Sequence, residues 1–169
     1  MEKALKNNNH KRLIIVSRLL FLAYLIFTLY FLLFAESFGR AQIRKDYSYN
    51  LVFLKEIKRY LRWAEYSDTG FKMMILNIWG NIICFIPFGF FLPLTLKKIR
   101  NGMVVTIITF AFSLIIETFQ LVLKVGSFDV DDLFLNTVGG IAGYIVYIIT
   151  RKIFLEKRKK HECKKICKK

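Results

Sequence analysis

The chain has 169 residues, which is enough for one domain. It is 55% hydrophobic and 23% charged, and the apolar residues lie in long blocks with the charged residues between them, unlike the periodic pattern of a soluble domain. The net charge of +15 does not indicate nucleic-acid binding, because most lysines and arginines flank apolar blocks, as they do in membrane proteins. These features predict a polytopic membrane protein that binds no nucleic acid.

Four apolar blocks are long enough to cross a bilayer, which takes about 20 residues in a helix. The first block, residues 13–35, follows a basic segment and is too long for the core of a signal peptide, so we predict a retained span. The second block contains Pro87 and Pro93, and we expect its helix to be kinked or broken there. The second, third and fourth blocks cover residues 75–96, 103–123 and 133–154.

The flanking charges predict that both termini lie in the cytoplasm. In this orientation the cytoplasmic segments hold 17 lysines and arginines and the outer segments hold nine, as the positive-inside rule requires. The predicted order is a cytoplasmic N-terminus (1–12), the first span (13–35), an extracellular loop (36–74), a core of three spans (75–154) and a cytoplasmic basic tail (155–169).

The extracellular loop contains a predicted amphipathic helix. Apolar side chains recur at helical spacing from Phe53 to Ala64, and charged side chains take the other faces. Two placements are open for this helix. It packs against the bundle, or it lies on the outer membrane surface, where Trp63 suits the interface.

Polar residues inside the predicted spans are costly to bury in lipid and are therefore informative. In the third span they recur at spacings of four, three and four residues, so they share one helix face. With the N-terminus inside, polar residues of three spans lie in the outer half of the membrane, Glu117 about 10 Å below the outer end of its helix. The predicted cluster consists of Asn77, Asn81, Ser113, Glu117, Gln120, Asp129, Asp132 and Asn136.

The cluster has two interpretations. Its side chains hydrogen-bond the helices together, or they line an outward-opening pocket for a headgroup or for catalysis. Glu117 is then the best candidate for a general base or electrostatic group. Both histidines lie in cytoplasmic flanks, which excludes a Ser-His-Asp apparatus within the bundle. No metal site or cofactor is predicted, although carboxylates without histidine would suit Mg²⁺ or Ca²⁺. The spacing of Gly139 and Gly143 matches a motif for close helix packing.

Three stretches of the chain, in order and with natural spacing, resemble signatures of the VanZ-like family of bacterial membrane proteins. The resemblance covers about residues 47–147. A further element, Asn50 to Phe53, is similar to one in which the family usually has proline at the position of Phe53. The residues that match the three signatures are Asn81, Phe85, Pro87 and Gly89; Ser113, Glu117 and Gln120; and Asp129, Asp132, Asn136, Gly139 and Gly140.

This family is named for a protein associated with resistance to the glycopeptide teicoplanin. The resemblance implies a protein of the bacterial cytoplasmic membrane, in a Gram-positive cell envelope. It is expected to modulate susceptibility to glycopeptides such as teicoplanin by acting on or near lipid-linked cell-wall precursors in the outer leaflet. Its implied partners are membrane lipids, such precursors or a lipoglycopeptide. Two other functions are open. One is an intramembrane enzyme that uses Glu117, Asp129 and Asp132. The other is a small lipid carrier, which is disfavoured because four helices without an internal repeat offer little room for a transport path. The oligomeric state is also open.

Taken together, these patterns predict an all-α membrane protein. We expect a bundle of about four transmembrane helices plus one interfacial helix in the extracellular loop.

Overall fold

The computed structural model describes residues 14–30, 47–96 and 98–166, with no side chains described beyond residue 156. The predicted all-α architecture is confirmed, with the addition of two short strands that the sequence did not predict. The helices are α1 (Ile14–Tyr30), α2 (Lys55–Tyr66), α3 (Asp68–Met74), α4 (Gly80–Thr95), α5 (Gly102–Val122) and α6 (Val130–Ile166). The strands are β1 (Tyr49–Asn50) and β2 (Phe128–Asp129).

Three helical segments of the described chain are long and apolar enough to cross a membrane. They correspond to the second, third and fourth predicted spans, although each boundary differs by some residues. α1 is a shorter apolar helix inside the first predicted span, whose remaining residues lie outside the described part of the chain. Three helices long and apolar enough to span a membrane are therefore confirmed, and the first span stays a prediction. The three segments are Asp68–Thr95, Gly102–Val122 and Val130–Glu156.

The second span begins two turns earlier than predicted. The Ser67 hydroxyl accepts a hydrogen bond from the Gly70 backbone at 3.0 Å and so caps the start of α3. α3 then continues through a π-helical turn, Ile75–Trp79, into α4. The predicted break at Pro87 and Pro93 is not observed, because α4 continues across both residues. Each proline removes only one backbone hydrogen bond, and packing of α4 against α6 holds the helix together.

Glycines allow α4 and α6 to approach closely. A Cβ added at Gly89 would overlap the backbone carbonyl of Gly140, and one added at Gly143 would overlap that of Ile86. Gly139 lies in the same way against the carbonyl of Ile82. The two backbones are therefore in direct contact over two turns, which larger residues would prevent.

We expect Gly89→Ala to destabilise the protein, because the added methyl group forces α4 and α6 apart. Overpacking of this kind costs about 1–3 kcal/mol. The measurement is the fraction of detergent-solubilised protein that stays soluble after heating.

Gly80→Ala is the matched control. No atom lies within 4 Å of a Cβ built at Gly80, so its helix propensity alone should stabilise the protein by roughly 0.5–1 kcal/mol. Opposite signs for the two variants support the packing, and equal shifts would contradict it.

An aromatic core fills the bundle beyond the glycine contacts. Phe85 is fully buried, and the rings of Phe88 and Phe112 stack with centroids 4.7 Å apart, which joins α4 to α5. Phe21 of α1 lies 5.8 Å from the Phe88 ring, and the Tyr24 hydroxyl donates to the Cys84 carbonyl at 2.7 Å. The described part of α1 therefore packs along α4 on the side of this core.

Candidate functional site

A buried pair of polar side chains joins α5 to α6. The Asn136 side-chain amide donates to the Ser113 hydroxyl oxygen at 2.8 Å. Both residues are almost fully buried, at 2% and 0% exposure. The Asn136 Oδ1 atom is buried with no hydrogen-bond partner among the residues that the structure describes. The hydrogen bond between Asn136 and Ser113 therefore joins α5 to α6, and it leaves the Asn136 Oδ1 atom unused as an acceptor.

A second pair joins α4 to α6 one turn nearer the start of α6. The Asn81 amide donates to Asp132 Oδ1 at 2.6 Å, and both residues are half-buried. Because Asp132 and Asn136 lie four residues apart, they point from the same side of α6. The helices α4 and α5 thus both bond to one face of α6.

The third link runs from α5 to the segment that enters α6. Glu117 is 3% exposed, and its Oε2 atom accepts a hydrogen bond from the Asp129 backbone at 3.0 Å. The Gln120 side chain is buried on the same face of α5. The backbone carbonyl of Gln120 accepts hydrogen bonds from the backbone N–H groups of Val125 and Gly126, and these bonds close the turn after α5. Lys124 adopts a left-handed conformation in this turn, with φ of 55°.

The two strands pair in parallel next to Glu117. Asn50 lies opposite Asp129 in the pairing, and its side-chain amide donates to Asp129 Oδ1 at 3.1 Å. Burial raises the pKa of the Asp129 carboxyl above its ordinary range, and hydrogen bonds from the Asp131 backbone and from Asn50 oppose this rise. Strand β1, which precedes α2, is thereby attached to the segment between α5 and α6.

Asp131 caps a helix that lies far from it in the sequence. Its Oδ1 atom accepts from the Leu54 backbone, and its Oδ2 atom accepts from the backbones of Glu56 and Ile57 at 2.8 and 3.2 Å. Leu54 has a φ of 62° and offers no side-chain cap of its own. Asp131 is 1% exposed, so the first turn of α2 depends on a buried carboxylate of α6.

The structure thus joins six of the eight predicted residues by hydrogen bonds between different helices or between a helix and strand β2. We use the name polar network for these six together with Asn50 and Asp131, which the predicted cluster lacked. Gln120 lies on the same helix face, whereas Asn77 donates to the Met73 carbonyl of its own helix at 2.7 Å. The six residues are Asn81, Ser113, Glu117, Asp129, Asp132 and Asn136.

The chemistry of the polar network is that of paired donors and acceptors. Within the described residues, no three His, Cys, Asp or Glu side chains are grouped so that they could hold a metal ion. Beside the strand pair lies a shallow depression of about 300 Å³ with an entirely apolar lining. It is formed by Tyr49, Leu51, Leu121 and Phe128.

Comparisons with known proteins agree with this arrangement of motifs. The family model described as VanZ/LLP1 matches residues 21–151. Protein VanZ of Enterococcus faecium is 30% identical over 149 residues, which cover 85% of this chain and 81% of that protein. No solved structure matches the chain. Since the family model covers most of the chain and includes all three helices of the polar network, the chain belongs to the VanZ/LLP1 family.

Proposed function

We propose that this protein lowers the susceptibility of a bacterial cell envelope to lipid-anchored glycopeptides such as teicoplanin, by acting at or near lipid-linked cell-wall precursors in the outer leaflet. One observation carries the proposal: residues of three separate family signatures converge in one polar network at one end of three spans. The similarity to protein VanZ also supports the proposal.

The position of the polar network favours a target with a lipid anchor. With both termini inside, the network lies about 5–10 Å below the outer surface, given the rise of about 1.5 Å per residue. Teicoplanin carries an acyl chain that enters the outer leaflet, and vancomycin does not. A protein that works at this depth meets an anchored drug or precursor, whereas a soluble glycopeptide meets only its loops.

Binding is favoured over catalysis because the carboxylates of the polar network already accept hydrogen bonds from backbone or side-chain amide N–H groups. Glu117 accepts from Asp129, and Asp132 accepts from Asn81. These bonds position the end of the bundle. The Asn136 Oδ1 atom is a buried acceptor with no partner among the described residues, so helix association does not account for every polar group of the network.

The test is paired susceptibility to teicoplanin and vancomycin in a Gram-positive host that expresses the protein. We expect tolerance to rise more for teicoplanin than for vancomycin, and we expect Asn136→Leu to remove the difference. Thr150→Val is the matched control on the same helix, because Thr150 is exposed and, among the described residues, its hydroxyl bonds the Val146 carbonyl of α6 itself. Equal shifts for both drugs, or none at normal protein level, would rule out the teicoplanin-selective function.

The orientation is tested by single cysteines in a cysteine-free background. Because the basic residues favour both termini inside, a cysteine at Ser67 should react with an impermeant thiol reagent in intact cells. A cysteine at Asn101, at the opposite end of the bundle, should react only after permeabilisation. The reverse pattern would place the polar network at the cytoplasmic surface.

A further inference from the structure

The helix α2 is fixed at both of its ends where two spans begin. Its first turn is capped by Asp131, the second residue of α6. Its last turn is separated only by Ser67 from the helical segment Asp68–Thr95. Gly70 also lies against the Trp63 carbonyl, so α2 packs on the start of that segment. These constraints hold α2 at the end of the bundle where the spans Asp68–Thr95 and Val130–Glu156 begin.

The start of α2 lies at the rim of the bundle, next to lipid. The ring of Phe53 meets that of Phe134 edge-on, with centroids 5.3 Å apart. Phe134 belongs to the third of the three spans and is 43% exposed, so it faces lipid. Phe53 is 56% exposed, and Leu51 and Val52 before it are exposed as well. An apolar segment therefore leads into α2 at the border between headgroups and acyl chains.

The outward face of α2 is basic. Ile57, Tyr60 and Ala64 are half-buried and form the stripe that faces the protein. Of the two acids in α2, Glu56 pairs with Arg59, and Glu65 is exposed. The four basic side chains of α2 are all exposed, and they are Lys55, Lys58, Arg59 and Arg62.

We propose that α2 binds the headgroups of anionic phospholipids through this basic face. Leu61 and Trp63, which are 48% and 44% exposed, flank the stripe that faces the protein and lie at the acyl-chain border. Tryptophan is enriched at this level of membranes, and basic residues on a surface helix attract anionic lipid. The occupant is a lipid of the surrounding leaflet, whichever function the polar network serves.

The experiment uses the fluorescence of Trp63 as a depth-sensitive reporter. The chain has two tryptophans, so Trp79→Phe leaves Trp63 as the sole one. The full-length protein is reconstituted in equimolar phosphatidylcholine and phosphatidylglycerol, with bromine on the acyl chains of one lipid or the other. We expect brominated phosphatidylglycerol to quench more, with a relative affinity about fivefold higher for each basic residue engaged. Added salt should reduce the preference.

Substitutions then assign the preference to α2. The pair Lys58→Gln and Arg62→Gln should bring the two lipids to equal quenching. The matched pair Arg151→Gln and Lys152→Gln, exposed near the end of the span Val130–Glu156, should leave the preference unchanged.

Three results would overturn the proposal: equal quenching of Trp63 by both lipids, no quenching of Trp63 at all, or a preference that survives the substitutions in α2. A protein with Trp63→Phe reports from Trp79 within the span, where we expect no preference. A preference at Trp79 as strong as that at Trp63 would mean general enrichment around the protein and would also overturn the assignment to α2.

Discussion

Replacing Asp131 by asparagine is expected to release the first turn of α2 and to lower the thermal midpoint by roughly 2–12 °C. The carboxylate of Asp131 accepts three backbone N–H groups through its two oxygens. Asparagine has one acceptor oxygen, and its NH₂ group would face at least one of these donors. Leaving a buried donor unpaired costs about 1–3 kcal/mol. The measurement is heat-induced precipitation of purified protein, together with hydrogen exchange at the amides of Leu54, Glu56 and Ile57.

Asp68→Asn provides the control for Asp131→Asn. Asp68 is an exposed acid in the first turn of α3, and Ser67 already caps that helix. Its substitution should change stability by less than about 0.5 kcal/mol. If Asp131→Asn left the three amides as protected as in the unchanged protein, the carboxylate would not be the cap of α2.

The sequence predicted most of the fold because length and hydropathy decide which segments cross a bilayer. At every end except one, the predicted limit of a span lies within a few residues of the limit in the structure. The exception was the start of the second span, where the segment Asp68–Met74 is too polar to read as membrane helix. That segment is helical because Ser67 caps it and α2 packs against it, and neither effect appears in hydropathy. Continuity across Pro87 depends likewise on packing against α6.

Helical spacing predicted which faces of the three spans are polar, and hence the bonds of Asn81 and Ser113 to α6. It could not predict the partners of Asn50 and Asp131. Their contacts join residues more than 70 positions apart, and two-residue strands have no periodicity to detect. Asn77 was predicted in the same cluster; it lies in the π-helical turn, and its side-chain amide donates to the Met73 carbonyl of the same helical segment.

Substitutions at Glu117 distinguish most clearly between the proposed binding function and an enzymatic function. Its Oε2 atom accepts from the Asp129 backbone inside the bundle. Glu117→Leu removes this acceptor at similar volume, and we expect a loss of about 1–3 kcal/mol in stability. The teicoplanin phenotype should disappear with it, because β2 and the start of α6 lose their support. The measurements are thermal precipitation of purified protein and the paired susceptibility assay.

Glu117→Gln keeps an acceptor oxygen and removes the charge and the exchangeable acid proton. If Glu117 positions Asp129, the glutamine protein should match the unchanged protein in stability and in teicoplanin tolerance. Thr118→Val controls for substitution in α5 as such, since Thr118 is exposed and, within the part of the chain that the structure describes, its hydroxyl bonds the Leu114 carbonyl of its own helix. A glutamine protein that is stable in the membrane but confers no tolerance would show that the carboxylate itself is used. That result would favour the enzyme, with Glu117 as its acid or base.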